Sequence, residues 1–487
     1  MEGSVLLFNS LTFVVFFIVV LVGYHLPQSW RVKKTCLLIA SYIFYAAWSP
    51  PFVILLWIST AVDWVAARKI AETEALAKRK VWVAVSMVSN LGMLGFFKYG
   101  GFLMDNFVDL AQMIGMSYTP AAFSIVLPVG ISFYTFQTMS YTLDVYQRKS
   151  EPCPRFIDFA LYVTFFPQLV AGPIVRATDL IPQFQEERRA TGPEFSWGLG
   201  LMSWGLFQKV VLADTLLASA ADSVFGTVAA PPLWTMAGSV YWVDAWLGTL
   251  AFAGQIFCDF AGYSTVAIGT ALCLGFHIPE NFRFPYAAIG FSDFWQRWHI
   301  SLSAWLRDYL YIPLGGNRKG RAREYINVMI TMLLGGLWHG ASWMFVVWGG
   351  LHGLYLWMER VLRALFSQAD WVKKPVVQGL LGIVTFLLVT LTWIFFRAQT
   401  WNVAWHVFLS ALYIEPMGAM VLSTLDMVKV IVVMTALVAS HWLLRNASIE
   451  ELISRVPWWL GGIVWAALLL LTIIAQGGGS AFIYFQF

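Results

Sequence analysis

A chain of 487 residues that is 59% hydrophobic and only 12% charged, with a mean hydropathy of +0.68, lies far from soluble globular domains, whose charged content is roughly 25%. It reads as a polytopic membrane protein. The formal net charge of +4 is small and spread over loops, which argues for membrane topology and against a nucleic-acid partner.

In chain order, continuous apolar runs lie near residues 11–25, 35–48, 51–66, 81–97, 122–143, 157–175, 195–218, 238–257, 263–276, 325–338, 342–357, 376–396, 428–444 and 458–475. They do not alternate, so helices are expected rather than barrel strands. A crossing needs about 20 residues and several runs are shorter, which predicts roughly 11–13 spans plus re-entrant pieces. The first run has no basic residue before it and no small-residue cleavage pattern after it, so a retained anchor and a mature start near Met1 are expected. No internal repeat or soluble domain is visible, and one membrane domain, residues 1–487, is the simplest division.

Basic loops stay on the cytoplasmic side. Arg31, Lys33 and Lys34 follow the first run, and Arg68, Lys69, Lys78, Arg79 and Lys80 follow the third. The turn Ser49-Pro50-Pro51 is uncharged, and the loop expected after the fourth run holds Asp105 and Asp109 without a basic residue. The N-terminus is therefore expected outside. Later clusters are Arg148 with Lys149, Arg188 with Arg189, and Arg318, Lys319, Arg321 and Arg323. The four cysteines, Cys36, Cys153, Cys258 and Cys273, lack metal-ligand spacing; they read as small hydrophobes, with neither a disulfide framework nor a metal site implied.

Several polar groups fall at membrane depth. Asp259, beside Gln255, Tyr263 and Ser264, costs roughly 2.5–3.5 kcal/mol unless paired, so it should face an aqueous cavity or a cation. Gln137, Tyr141 and Asp144 are comparable, although Arg148 and Lys149 suggest a helix-end ion pair for Asp144. Between residues 293 and 311, Phe294, Trp295, Trp298, Leu302, Trp305, Leu306 and Tyr309 recur at helical spacing, while Gln296, Arg297, Ser303, Arg307 and Asp308 populate the other side. One amphipathic helix is expected, lying in the interface or dipping beside a cavity. His299 falls on the border of its faces, suited either to a polar pocket or to interfacial anchoring.

His339 follows Gly335-Gly336 and precedes Gly340 in an almost uncharged stretch. An ionisable ring there is a functional hypothesis by default, with a hydrogen-bonded structural histidine as the alternative. On an ideal helix His352 would point elsewhere and reads as structural, like His25, His277, His406 and His441. No Ser-His-Asp order or Gly-x-Ser-x-Gly elbow is present. An imidazole titrates near neutrality and suits removal of an alcohol proton.

Five blocks carry a family resemblance: Phe257-Cys258-Asp259-Phe260-Ala261-Gly262-Tyr263-Ser264; Pro279-Glu280-Asn281-Phe282; Asp293-Phe294-Trp295-Gln296-Arg297-Trp298-His299-Ile300-Ser301-Leu302-Ser303; Trp305-Leu306-Arg307-Asp308-Tyr309-Leu310-Tyr311-Ile312-Pro313-Leu314-Gly315-Gly316-Asn317-Arg318; and Gly335-Gly336-Leu337-Trp338-His339-Gly340-Ala341. Over nearly the whole chain they resemble the membrane-bound O-acyltransferase (MBOAT) family, in its bacterial alginate O-acetyltransferase-like branch. The resemblance implies an all-α fold of membrane spans and amphipathic or re-entrant helices around a central funnel, with the catalytic core at roughly residues 120–400. It also implies transfer of an acyl group from a cytoplasmic donor to a hydroxyl on an extracytoplasmic acceptor, with His339 at the family's catalytic position and His299 at its second.

The implied donor is acetyl-CoA, with no permanently bound cofactor. The implied acceptor is an exopolysaccharide or a periplasmic acetyltransferase partner protein, and the implied location is the bacterial inner membrane. Asp259, Tyr263, Trp298, Arg297, Arg307, Asn317 and Arg318 are candidate substrate-binding residues. The basic turn at 317–323 could hold coenzyme A phosphates, but positive-inside topology explains its charge equally well. Two alternatives are D-alanyl transfer to teichoic acid and a lipid-linked sugar transporter using Asp259 and the histidines as a proton relay.

Overall fold

The computed structural model describes residues 6–120, 125–229, 239–366, 369–447, 455–476 and 482–483; Met1, residues 122–124 of the fifth apolar run and residue 238 of the eighth lie outside the described residues. Among the described residues the regular elements are helices, with one isolated bridge between Val240 and Ala419. The protein is an all-α, multi-pass membrane protein, as its unbroken apolar runs demand. By contact it divides into two compact units, Met1–Met202 with Ser264–Pro279, and Ser203–Tyr263 with Glu280–Phe487.

The first unit contains α1 (Leu11–His25), α2 (Trp30–Ala46), α3 (Val53–Ala71), α4 (Leu76–Leu94), α5 (Gly100–Met113), α6 (Ile131–Tyr146), α7 (Phe156–Thr164), α8 (Phe166–Leu169) and α9 (Ala177–Gln185). Helices α3, α4 and α6 pack on one another around Asp63, which accepts hydrogen bonds from Ser86, from Asn90 Nδ2 at 2.6 Å and from Thr142 Oγ1 at 2.6 Å. A carboxyl group is tolerated at this depth because its oxygens are filled.

Two expectations change in this unit. Lys33 and Lys34, expected as loop charges, lie in α2 and are buried; Lys34 pairs with Asp158 on α7, and Lys33 with Glu187 at 3.0 Å. Asp105 and Asp109, expected in a loop, lie on α5, because α4 continues through a π-helical turn, Gly95–Tyr99, and Gly100 keeps a helical backbone. Asp144, for which a helix-end ion pair is expected, lies near the end of α6 and is buried.

Helix α10 (Gly192–Leu206) leads through a π-helical stretch, Phe207–Leu217, into α11 (Ala218–Ala229) and α12 (Trp242–Cys273). There follow α13 (Phe291–Arg297), α14 (Ile300–Leu306), α15 (Arg321–His339), α16 (Trp343–Phe366), α17 (Pro375–Arg397), α18 (Trp401–Ala411), α19 (Thr424–Leu444) and a final helix, Trp458–Ala475. Helices α15 and α16 meet through glycines. A Cβ on Gly336 would collide with the Phe345 carbonyl oxygen and lie 3.1 Å from Gly349 Cα, and one on Gly349 would collide with the Met332 carbonyl oxygen. Only residues without side chains allow so close a backbone approach, and it holds the His339 end of α15 against α16.

The single amphipathic helix expected over 293–311 is broken at Trp298-His299, where His299 takes a left-handed backbone (φ 45°). The reason is competition for backbone groups. The Ile300 N–H donates to the Asn281 carbonyl at 2.9 Å, and the Arg297 carbonyl accepts from the Arg283 N–H at 2.9 Å, so the i→i−4 ladder cannot run through.

Among the described residues seven helices are long and apolar enough to cross a membrane: Pro50–Ala71, Leu76–Met113, Gly192–Val228, Trp242–Cys273, Pro375–Arg397, Thr424–Leu444 and Trp458–Ala475. Other apolar runs expected to supply spans fall on shorter or more polar helices. Helices α1, α2 and α6 have only 15, 17 and 16 residues. Helix α15 opens on Arg321, Arg323 and Glu324, while α16 carries His352, Glu359 and Arg360.

Candidate active site

The two histidines singled out by sequence come together in the second unit. His299 and His339 are both buried, with ring centroids 6.2 Å apart. His339 is the last residue of α15, and Gly340 then turns into extended backbone. A side chain on Gly340 would strike the Phe345 ring, so glycine lets the aromatic wall close over the helix end. Trp338 and Trp348 each lie 5.1 Å from the His339 ring and Phe396 lies 5.3 Å away. On the other side Phe260 meets His299 edge-on at 4.7 Å. Such walls exclude water and strengthen every electrostatic interaction inside them.

His299 Nδ1 lies 3.1 Å from Asn281 Oδ1, which also accepts from Ser301 Oγ at 2.9 Å and from the Ser301 N–H at 3.3 Å. Sequence reading quoted Asn281 but gave it no role; an amide in the loop before the broken helix was the available signal. Asp259 has the cation expected for it. Lys209 forms an ion pair with Asp259 and another with Asp214 at 2.9 Å, and the Ile483 N–H donates to Asp259 Oδ2 at 2.8 Å. Lys209 was also missed, although a lone lysine in the apolar run 195–218 marks itself. Tyr263, one turn beyond Asp259, stacks on Phe482 at 4.6 Å, and Phe482 lies 5.8 Å from Phe260. Residues 482–483 thus cover the side of the site that Phe260 lines.

The other candidates are placed elsewhere. Trp298 is core, packed 4.9 Å from Trp393 and 5.0 Å from Phe282. Arg297 pairs with Asp293 at 2.7 Å, and Arg445 reaches the same carboxylate at 2.7 Å. Burial pushes the Asp293 carboxyl up, but the Ile289 N–H and the two guanidinium groups outweigh it and hold it below its ordinary value. Arg307 is exposed and pairs with Asp308 at 2.7 Å. Asn317 and Arg318 are exposed in the turn that precedes α15, at the opposite end of that helix from His339 and about 27 Å from it at 1.5 Å per residue.

His352, expected to be structural, is buried. The chain breaks at Gly340, so the ideal-helix rotation does not apply, and the His352 ring packs 4.7 Å from Trp348. Its Nε2 donates to Thr392 Oγ1 at 3.0 Å, since that hydroxyl's own proton goes to the Val389 carbonyl. Among the described residues no three His, Cys, Asp or Glu side chains converge to hold a metal ion. The paired imidazoles can take up, hold and return a proton beside a reacting hydroxyl.

Comparison with known proteins agrees with this geometry. The family model described as "MBOAT, membrane-bound O-acyltransferase family" matches residues 117–396. Over 405 residues the chain is 41% identical to "Probable alginate O-acetylase AlgI" of Pseudomonas aeruginosa, covering 83% of this chain and 74% of that protein. It is 36% identical over 426 residues to "Peptidoglycan O-acetyltransferase" of Helicobacter pylori, covering 81% and 77%. With "Teichoic acid D-alanyltransferase" of Streptococcus thermophilus it shares 27% identity over 271 residues, covering 52% and 63%. Both the family match and the identity over most of each longer relative enclose the block that carries the two buried histidines: the chain belongs to the membrane-bound O-acyltransferase family and is an O-acyltransferase.

Proposed function

We propose that the protein moves an acetyl group from acetyl-CoA, on the cytoplasmic side of a bacterial inner membrane, to hydroxyls of an extracytoplasmic polysaccharide or of a periplasmic partner that completes the transfer. The observation that carries the chemical part is the pair of buried imidazoles 6.2 Å apart inside one aromatic shell. The identities with an alginate O-acetylase and a peptidoglycan O-acetyltransferase support acetyl as the group and a polysaccharide as the acceptor.

In this reading His339 is the general base. The acceptor hydroxyl oxygen attacks the thioester carbonyl carbon as His339 takes its proton. The tetrahedral intermediate breaks its C–S bond, and the imidazolium returns the proton to the departing thiolate, leaving an ester and free coenzyme A. His299 is the second active-site residue. If the basic turn around Asn317 and Arg318 binds the donor's phosphates, the donor must run the length of α15 to present its thioester at His339.

Polysaccharide ester content in cells carrying wild type, His339→Ala and His299→Ala, with membrane abundance measured in parallel, tests the assignment. His339→Ala is expected to lower transfer by about 10²- to 10⁴-fold, the usual contribution of a general base. Unchanged esterification at normal abundance removes His339 from that role, and loss of polymer export together with ester points to a transporter. Purified protein offered labelled acetyl-CoA or carrier-bound D-alanine separates acetyl transfer from the D-alanyl reading that the Streptococcus relative raises.

A further inference from the structure

We infer that Asn281 is a positioning residue that locks His299 as its Nδ1–H tautomer and so presents Nε2 to the reaction as a proton acceptor. The orientation of the amide decides the argument. The Ser301 backbone N–H can only donate, and it points at the same Asn281 atom as His299 Nδ1, at 3.3 Å. That atom is therefore the amide oxygen, an acceptor only. His299 Nδ1, 3.1 Å from it, must carry the ring proton, which leaves the lone pair on Nε2. A neutral His299 held this way accepts a proton at Nε2 and cannot donate from that nitrogen to an oxyanion.

The backbone of Asn281 contributes as well. A left-handed conformation is disfavoured for a residue with a side chain, yet His299 adopts it at φ 45°. The Asn281 carbonyl takes the N–H of Ile300 at 2.9 Å, and Ser301 Oγ bonds its side chain at 2.9 Å, so one residue holds both the break between α13 and α14 and the ring within it. His339 is the titratable ring packed against His299, at 6.2 Å.

The tautomer can be read without assuming acyl transfer; only the kinetic arm rests on the function proposed above. In full-length protein labelled with 15N-histidine and reconstituted in lipid, the resonances lost in His299→Gln identify this ring among the chain's 7 histidines. The expected wild-type spectrum shows a protonated Nδ1 and a bare Nε2. Asn281→Ala is expected to release the ring into the other tautomer or a mixture and to lower kcat by about 10- to 100-fold, as loss of an orienting partner does, with the KM for acetyl-CoA unchanged. Asn281→Asp keeps an acceptor oxygen and is expected to restore the tautomer.

An Nε2–H or doubly protonated His299 in the wild type overturns the inference, and so does an Asn281→Ala protein that keeps the Nδ1–H form. If Asn281→Ala does not accumulate, the wild-type spectrum still decides. Full transfer by His299→Gln alongside the expected tautomer would remove His299 from the proposed reaction while leaving the Asn281 assignment standing.

Discussion

Lys209 lies between two carboxylates, Asp214 at 2.9 Å and Asp259, and all three side chains are almost wholly buried. Removing one partner of a buried pair costs about 3–5 kcal/mol, because an uncompensated charge stays behind. The two ends of this cluster are unequal. Lys209→Met leaves two carboxylates without their cation, whereas Asp259→Asn leaves Lys209 paired with Asp214. The expected order of thermal midpoints for the purified protein is therefore wild type, then Asp259→Asn, then Lys209→Met, with Lys209→Met/Asp259→Asn recovering part of the loss. Equal falls for the two single variants would show that Asp214 does not compensate. Lys209 and the Ile483 N–H share Asp259, and the neighbouring Phe482 reaches Phe260 beside His299. Lys209→Met is accordingly expected to lower transfer as well as stability.

At the level of elements, the placement of His339 depends on how closely α15 and α16 approach. A methyl on Gly336 or Gly349 would meet backbone atoms of the opposite helix, which cannot swing aside as a side chain can. Overpacking of this kind typically costs about 1–3 kcal/mol through backbone shifts, and Gly336 lies one turn from His339. Gly336→Ala and Gly349→Ala are each expected to lower the unfolding midpoint and to reduce transfer more than stability alone explains. Gly350→Ala is the matched control on the same helix, since its Cβ would find only the Leu333 side chain at 3.4 Å, an ordinary contact. Transfer assays at matched membrane abundance check this: if all three variants behave alike, the glycine contact does not set the position of His339.

Across the whole molecule, what could be read from sequence was what local composition determines. Helices followed from unbroken apolar runs, and the two histidines stood out because imidazole is rare at membrane depth. Contacts made by tertiary folding were not visible. Nothing local says that Asn281 meets a ring 18 positions on, that Lys209 is the cation Asp259 needed, or that residues 293–311 break where loop residues take their backbone groups. Apolar runs also fail to mark helix ends, which is why α4 and α5 were separated by an expected loop although the helical stretch Leu76–Met113 spans 38 residues.

That continuity sharpens a topological expectation. Lys34 is held in a buried ion pair and the buried Lys33 reaches the part-exposed Glu187, so the positive-inside argument rests mainly on the basic segment from Arg68 to Lys80. Lys78 and Asp105 are exposed on the Leu76–Met113 stretch and lie about 40 Å apart at 1.5 Å per residue, more than the hydrocarbon thickness of about 30 Å. They should therefore sit on opposite faces of the membrane, with Lys78 cytoplasmic. Cys153, Cys258 and Cys273 are buried and Cys36 is exposed, so a Cys36→Ser background leaves little native thiol to label. In it, a membrane-impermeant maleimide is expected to modify Lys78→Cys in inside-out vesicles but not in intact spheroplasts, and Asp105→Cys in the reverse pattern. Labelling of both from one side would show that α4 and α5 do not make one crossing, and the reversed pattern for both would place the N-terminus in the cytoplasm.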